Sequence, residues 1–379
     1  MNPDIGIYYG LAHDIASSME PSLSYLSRDW PEVEAWRSLA RGKVLELLDF
    51  TPPSAPLNPS VDSTASHDGV VIESVSYDMP YGPRTRGFFM YPEDRQGMLP
   101  AVVALHDHGG MKYYGKEKIC WIPDEPEVLK KFKQEYYGGR SWATELAKRG
   151  FAVLSADAFL FGSRKIPIAS LSDEFQRKFD NLEEGAEEYV LQYNAFAGEH
   201  EHLVAKTLFM AGTTWPGVFA YEDRRSVDYI LTRKEVDPER IGCGGLSGGG
   251  LRTIFLAGLD PRIKCAVCVG FMSTFKGLLR NNIKCHTWML YLPHLPRFLD
   301  MPDLLALMAP NPLMVQYDLE DDLYTLEGQR GADRKISMIY GKMGKSAHYS
   351  GKFYPGPHKF DAEMQEDAFD WFKRWLGKP

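Results

Sequence analysis

The chain predicts an α/β domain built on one mostly parallel, doubly wound sheet. Two observations carry this. From residue 99 onward short apolar runs alternate with helical patterns, and several of these runs close on Gly or Asp, as buried parallel strands do. A G-x-S-x-G string, Gly245-Leu246-Ser247-Gly248-Gly249, stands between one such run and a helix-forming segment, the context in which that string carries structural meaning.

Residues 1–48 are helical in pattern and rich in tryptophan (SYLSRDWPEVEAWRSLARGKVLELL), and TPPSAPLNPS follows from Thr51. We read 1–68 as a helical N-terminal arm and linker. GVVIESVSY (69–77) and TRGFFMYP (85–92) are two strands joined by the turn-rich DMPYGPR, and this hairpin opens the main domain, 69–379. LPAVVALHDHGG, a helix ending ATELAKRG, and FAVLSADAF then form a βαβ unit. Between about 165 and 219 the alternation is interrupted by charge-patterned helix and by TLFMAGTTWPG, which reads as a cap insertion. The alternation resumes with helix YEDRRSVDYILTRK, strand RIGCGGL, helix SGGGLRTIFLAGL, strands KCAVCVGF, PLMVQYD and ISMIYG, and a final amphipathic helix AEMQEDAFDWFKRWL.

Hydrophobic residues at 44% and charged residues at 25% allow a large core to be buried within the 379 residues. A net charge of −8 argues against nucleic acid or an acidic membrane as partner, since both select clustered Lys and Arg; a small molecule is expected instead. The arm can pack on its own domain or on a second copy, so a homo-oligomer stays open. Cys243, Cys265, Cys268 and Cys285 lie in or near apolar stretches, which reads as buried free thiols in a reducing compartment. No basic segment precedes an apolar run at the start, and no stretch stays apolar for about 18 residues, so a soluble cytoplasmic protein is expected.

A serine at a sharp strand-to-helix turn needs glycine two places before and after it, because a Cβ there meets neighbouring backbone. Gly245 and Gly249 meet that need, which makes Ser247 the candidate nucleophile. The N–H of Gly248, at the helix start, is available to a developing oxyanion. The general base should precede the last helix, where GPHKF places His358; His348 is the reserve. The carboxylate that orients it should follow PLMVQYD: Asp321 is preferred among Asp318, Glu320, Asp321 and Asp322, with Glu320 second. A second oxyanion donor is expected after VVAL, at the N–H of His108 in H-D-H-G-G. That string reads as loop backbone and not as a metal clip, since only His200-Glu201-His202 offers further ligands. Cys265-x-x-Cys268 sits in a strand, where positions three apart face opposite ways, so no metal site is read there either.

These residues in this order make the chain resemble the bacterial α/β-hydrolase esterases grouped around dienelactone hydrolases and acetyl xylan esterases, from about Gly69 to the C-terminus. The stretches that carry the likeness are EVDPERIGCGGLSGGG, VVALHDHGG, APNPLMVQYDLEDDLYTLEG and GPHKF. The resemblance implies an α/β-hydrolase fold, a Ser247-Asp321-His358 triad with a backbone oxyanion hole, and carboxylic ester hydrolysis without a cofactor, an acylated sugar being one substrate class. Asp107 departs from the family, which usually carries glycine there. A likeness of segment 271–310 to one esterase branch also makes His286 and Trp288 pocket-wall candidates. Aromatic cap residues Phe209, Trp215 and Tyr221 are expected to shape the pocket. A prolyl-oligopeptidase-like peptidase and a catalytically inactive binding module are the alternatives.

Overall fold

The computed structural model describes residues 2–377; residues 1, 378 and 379, the outermost ends of the two predicted units, lie outside the described residues. Nine strands among the described residues form one sheet: β1 (Ser60–His67), β2 (Val70–Tyr77), β3 (Thr85–Pro92), β4 (Leu99–Ala104), β5 (Ala152–Ala156), β6 (Val236–Leu246), β7 (Ile263–Val269), β8 (Leu313–Asp318) and β9 (Tyr349–Tyr354). Their order is β1-β2-β3-β5-β4-β6-β7-β8-β9. The first three strands and the β3–β5 pair are antiparallel, and from β5 to β9 every neighbour is parallel. Apolar runs buried on both faces make those parallel strands, as LPAVVA in β4 shows with all six residues buried.

Helices cover both faces. The arm contributes α1 (Tyr9–Ser18) and α2 (Val33–Leu48); α3 (Glu127–Tyr137) and α4 (Trp142–Lys148) follow β4; α5 (Glu187–Met210) and α6 (Trp215–Ile230) follow β5. The chain closes with α7 (Gly248–Leu259), α8 (Leu326–Lys342) and α9 (Ala362–Leu376). One face of the sheet packs on α3, α4 and α9, the other on α2, α6, α7 and α8. Strand alternation sorts the side chains between them: Cys265 and Val267 join the first core, Ala266 and Cys268 the second. The two cysteines of the C-x-x-C string thus lie on opposite faces. Cys285, expected to be buried, is exposed.

Three local readings change. ISMIYG is not a strand but the second half of α8, where Ala332, Ile336, Ile339 and Tyr340 are fully buried at helical spacing. The last strand is instead YSGKFY, polar and only partly buried, whose extended form comes from its parallel ladder to β8, Leu313 opposite Tyr349 through Asp318 opposite Tyr354. Ser60–His67, read as linker, is an edge strand paired to β2, so the sheet begins nine residues before Gly69. Seven of its eight residues are exposed, which erases the alternation that marks a strand in sequence. The interruption at 165–219 holds short helical turns and the 24-residue α5, while its last residues, from Trp215, already belong to α6 on the sheet.

Candidate active site

Ser247 stands between β6 and α7 with φ of 55° and ψ of −118°, a left-sided conformation that a non-glycine residue rarely adopts. The turn is held because its neighbours carry no side chains. A Cβ on Gly245 or on Gly249 would run into the Leu105 carbonyl oxygen. A Cβ on Gly248 would lie 2.7 Å from the His108 backbone nitrogen. The loop after β4 therefore packs directly on the start of α7, which brings the backbone of His108 against Gly248.

His358 lies in the loop between β9 and α9, and its Nδ1 is 2.7 Å from Asp321 Oδ2. A carboxylate accepts, so the shared proton sits on Nδ1 and leaves Nε2 as the basic atom. Burial pushes the imidazolium down, yet the hydrogen bond and charge of Asp321, helped by Asp318 and Asp107, hold the pKa of His358 above its ordinary 6.5. Nε2 is buried and has no hydrogen-bond partner among the described residues, Ser247 included. Ser247 and His358 nevertheless line one open pocket of about 500 Å³ together with His108, Gly248 and Asp321. Contacts between nucleophile and base are often long in the unliganded state and tighten around substrate.

Of the other candidates, some line the same pocket and some lie away from it. His348 precedes β9, at the far end of that strand from His358, and bonds the Pro310 carbonyl. Glu320 and Asp322 are exposed at the pocket rim. His286 lines the pocket, whereas Trp288 packs on Phe209 and Tyr291 outside it. Trp215 is 1% exposed inside the core against Phe159, and Tyr221 packs on Phe50 and Tyr81, so these aromatics serve the core and not the pocket wall. Tyr136, Phe271, Leu323 and Pro357 form the apolar wall instead.

Five residues take parts here that the sequence alone did not assign to them. Gly270, with φ of 57°, leaves room for His358: a Cβ there would stand 2.9 Å from the ring's Cε1. Asp318 brings a second buried carboxylate within 4.8 Å of the Asp321–His358 pair and accepts from the Lys359 N–H at 3.1 Å. Burial pushes its carboxyl up to about 7. Glu201 on α5 accepts from His108 Nε2 at 2.5 Å and from Thr287 Oγ1 at 2.9 Å, and faces the buried Lys112 ammonium at 2.5 Å. Burial alone would raise its pKa, but His108 and Lys112 hold it near 2, so it is an anion that fixes the histidine of the loop after β4. The H-D-H string is taken up in the same way. His106 Nε2 accepts from the Ala158 N–H, and Asp107, 2% exposed, takes bonds from Lys118 and Tyr137. Asp107 thus anchors the loop from below.

No family model matches the chain. Over 343 residues, 90% of this chain and 100% of the other, it is 24% identical to the Bacillus subtilis (strain 168) protein named "Putative hydrolase YtaP". The fold matches a crystal structure described as "putative acetyl xylan esterase" from Bacteroides fragilis with a TM-score of 0.70, 18% identity, and coverage of 91% of this chain and 82% of that one. It also matches a glucuronoyl esterase from Solibacter usitatus with a TM-score of 0.60, 14% identity, and coverage of 95% and 100%. Sheet order, elbow and neighbours together define the α/β-hydrolase fold for this chain. No helix among the described residues is long and apolar enough to cross a membrane.

Proposed function

We propose that this protein is a serine esterase that hydrolyses small carboxylic esters, acylated sugars among them, through an acyl-enzyme. The observation that carries the reading is the His358–Asp321 bond at 2.7 Å on a histidine whose other nitrogen has no partner among the described residues and which shares one pocket with Ser247. Ser247 Oγ attacks the ester carbonyl as His358 Nε2 takes its proton, and Asp321 stabilises the imidazolium that results. The N–H groups of Gly248 and His108 receive the tetrahedral oxyanion, and the start of α7 adds a favourable dipole. His358 then returns the proton to the leaving alcohol, and water, activated by the same nitrogen, releases the acid and frees Ser247.

The pocket volume suits a sugar-sized alcohol, and it is open on one side. The names of the similar proteins, "Putative hydrolase YtaP", "putative acetyl xylan esterase" and "Glucuronoyl Esterase", agree with this reading. A side-by-side assay on p-nitrophenyl acetate, acetylated xylo-oligosaccharide and an aminoacyl-proline amide tests it. Ester turnover that disappears in Ser247→Ala is expected; cleavage of the amide at a comparable rate, or ester turnover unchanged in Ser247→Ala, overturns it.

A further inference from the structure

The residues around the short turn Ile283–Cys285 lie against the loop that carries Asp321 and hold its main chain at two points. Asn282 Nδ2 donates to the Asp322 carbonyl at 3.0 Å, and His286 Nε2 bonds the Leu323 carbonyl at 3.1 Å. The Leu323 N–H in turn donates to Asp321 Oδ1 at 2.9 Å, which leaves Oδ2 for His358. A carbonyl oxygen only accepts, so the proton of His286 stands on Nε2. Burial lowers its pKa to about 4, so the ring is neutral across the working range and this donor is always present. The ring is wedged between Phe271 at 5.7 Å and Tyr324 at 5.1 Å, which fixes where the donor points.

We infer that His286 is a positioning residue that acts through the triad acid: it holds Leu323 so that the Leu323 N–H orients the Asp321 carboxylate toward His358. This rests on the Ser247-Asp321-His358 reading above. The same segment reaches the other half of the site, because the neighbouring Thr287 hydroxyl donates to Glu201, the partner of His108. One short stretch after β7 thereby braces both the acid loop and the oxyanion loop. Its own sequence, NNIKCHT, offers no motif that points to this bracing role, and His286 was expected only as part of the pocket wall.

A double-mutant cycle on p-nitrophenyl acetate hydrolysis tests the inference. His286→Phe keeps a ring and removes the donor, and it should lower kcat roughly tenfold with little change in KM, as small displacements of a catalytic group do. His286→Gln, which keeps an N–H at the Nε2 position, should recover most of that loss. In an Asp321→Asn background His286→Phe should cost less than about twofold, because the group it acts through is already gone. A full tenfold cost in that background, a change confined to KM, or no recovery by Gln overturns the inference while leaving the triad intact. Full activity of Asp321→Asn alone overturns the triad reading itself. Should thermal melting show His286→Phe to be unfolded, Asn282→Ala reads the same coupling through Asp322.

Discussion

Gly248→Ala probes the oxyanion hole without touching any reacting side chain. The added methyl carbon would stand 2.7 Å from the His108 nitrogen, 3.0 Å from its Cβ and 3.3 Å from its Cα. These are backbone and near-backbone atoms on a loop already pinned by Asp107 and Glu201, so neither side can swing away. Restoring ordinary contact requires a shift of about 0.7 Å between the loop and the start of α7. That shift separates the two N–H groups meant to converge on one oxygen. Loss of one such donor costs about 2.7 to 4 kcal/mol in the transition state, a fall of about 10²- to 10³-fold in kcat. KM should change little, because the donors meet the oxyanion and not the ground-state carbonyl. Overpacking itself should cost about 1 to 3 kcal/mol of stability, leaving the protein folded at 25 °C. Steady-state kinetics on p-nitrophenyl acetate with a parallel melting curve read both quantities. A folded Gly248→Ala with kcat within threefold of the parent refutes the assignment of Gly248 and His108 to the oxyanion hole.

Asp321→Asn should lower kcat by about 10³- to 10⁴-fold through loss of the imidazole's orientation and charge partner. The base must be neutral to accept a proton, so kcat/KM of the parent should rise with pH through a value above 6.5, and in Asp321→Asn this limb should move to lower pH, as read from profiles between pH 5 and 9. Glu201→Gln should lower stability by about 3 to 5 kcal/mol in urea melts, because it leaves the buried Lys112 ammonium without its counter-charge, and a second change, Lys112→Met, should recover a large part of that loss. Asp318 is raised by burial from 3.8 to about 7, so the folded state favours its protonated form; its stabilisation is complete below pH 3.8 and is lost as pH rises through 7. Urea melts of Asp318→Asn and the parent should therefore differ more at pH 8 than at pH 5, by about 2 to 3 kcal/mol in favour of the variant.

The sheet interior and the elbow were legible because their physics is local. An unbroken apolar run such as VVAL has no state but a buried strand or helix, and the glycines beside Ser247 mark a sharp turn in a four-residue string, although the backbone they make room for, at Leu105, lies far away in sequence. Edge strands were not legible. SVDSTASH and YSGKFY owe their extended form to a neighbour's ladder, and the apolar run ISMIYG hides a helical period that emerges only with Ala332 included. The same division runs through the site. Ser247, His358 and Asp321 were expected from their place relative to strand ends, and the structure brings the three to one pocket. Glu201, Gly270 and His286 meet their partners across long sequence separations, 93 residues from Glu201 to His108, and no spacing rule reports such a contact. Aromatic content misled for a related reason: Trp215 is as apolar in a core as in a pocket wall, and only packing separates the two.

In the proposed mechanism one hydroxyl, that of Ser247, carries the acyl group. Treatment with a fluorophosphonate, followed by intact mass and peptide mapping, reads it directly. A single adduct is expected on the peptide that contains Ser247, formed much more slowly in His358→Ala and absent in Ser247→Ala. An adduct of equal yield in Ser247→Ala, or one mapped to any other residue, contradicts it.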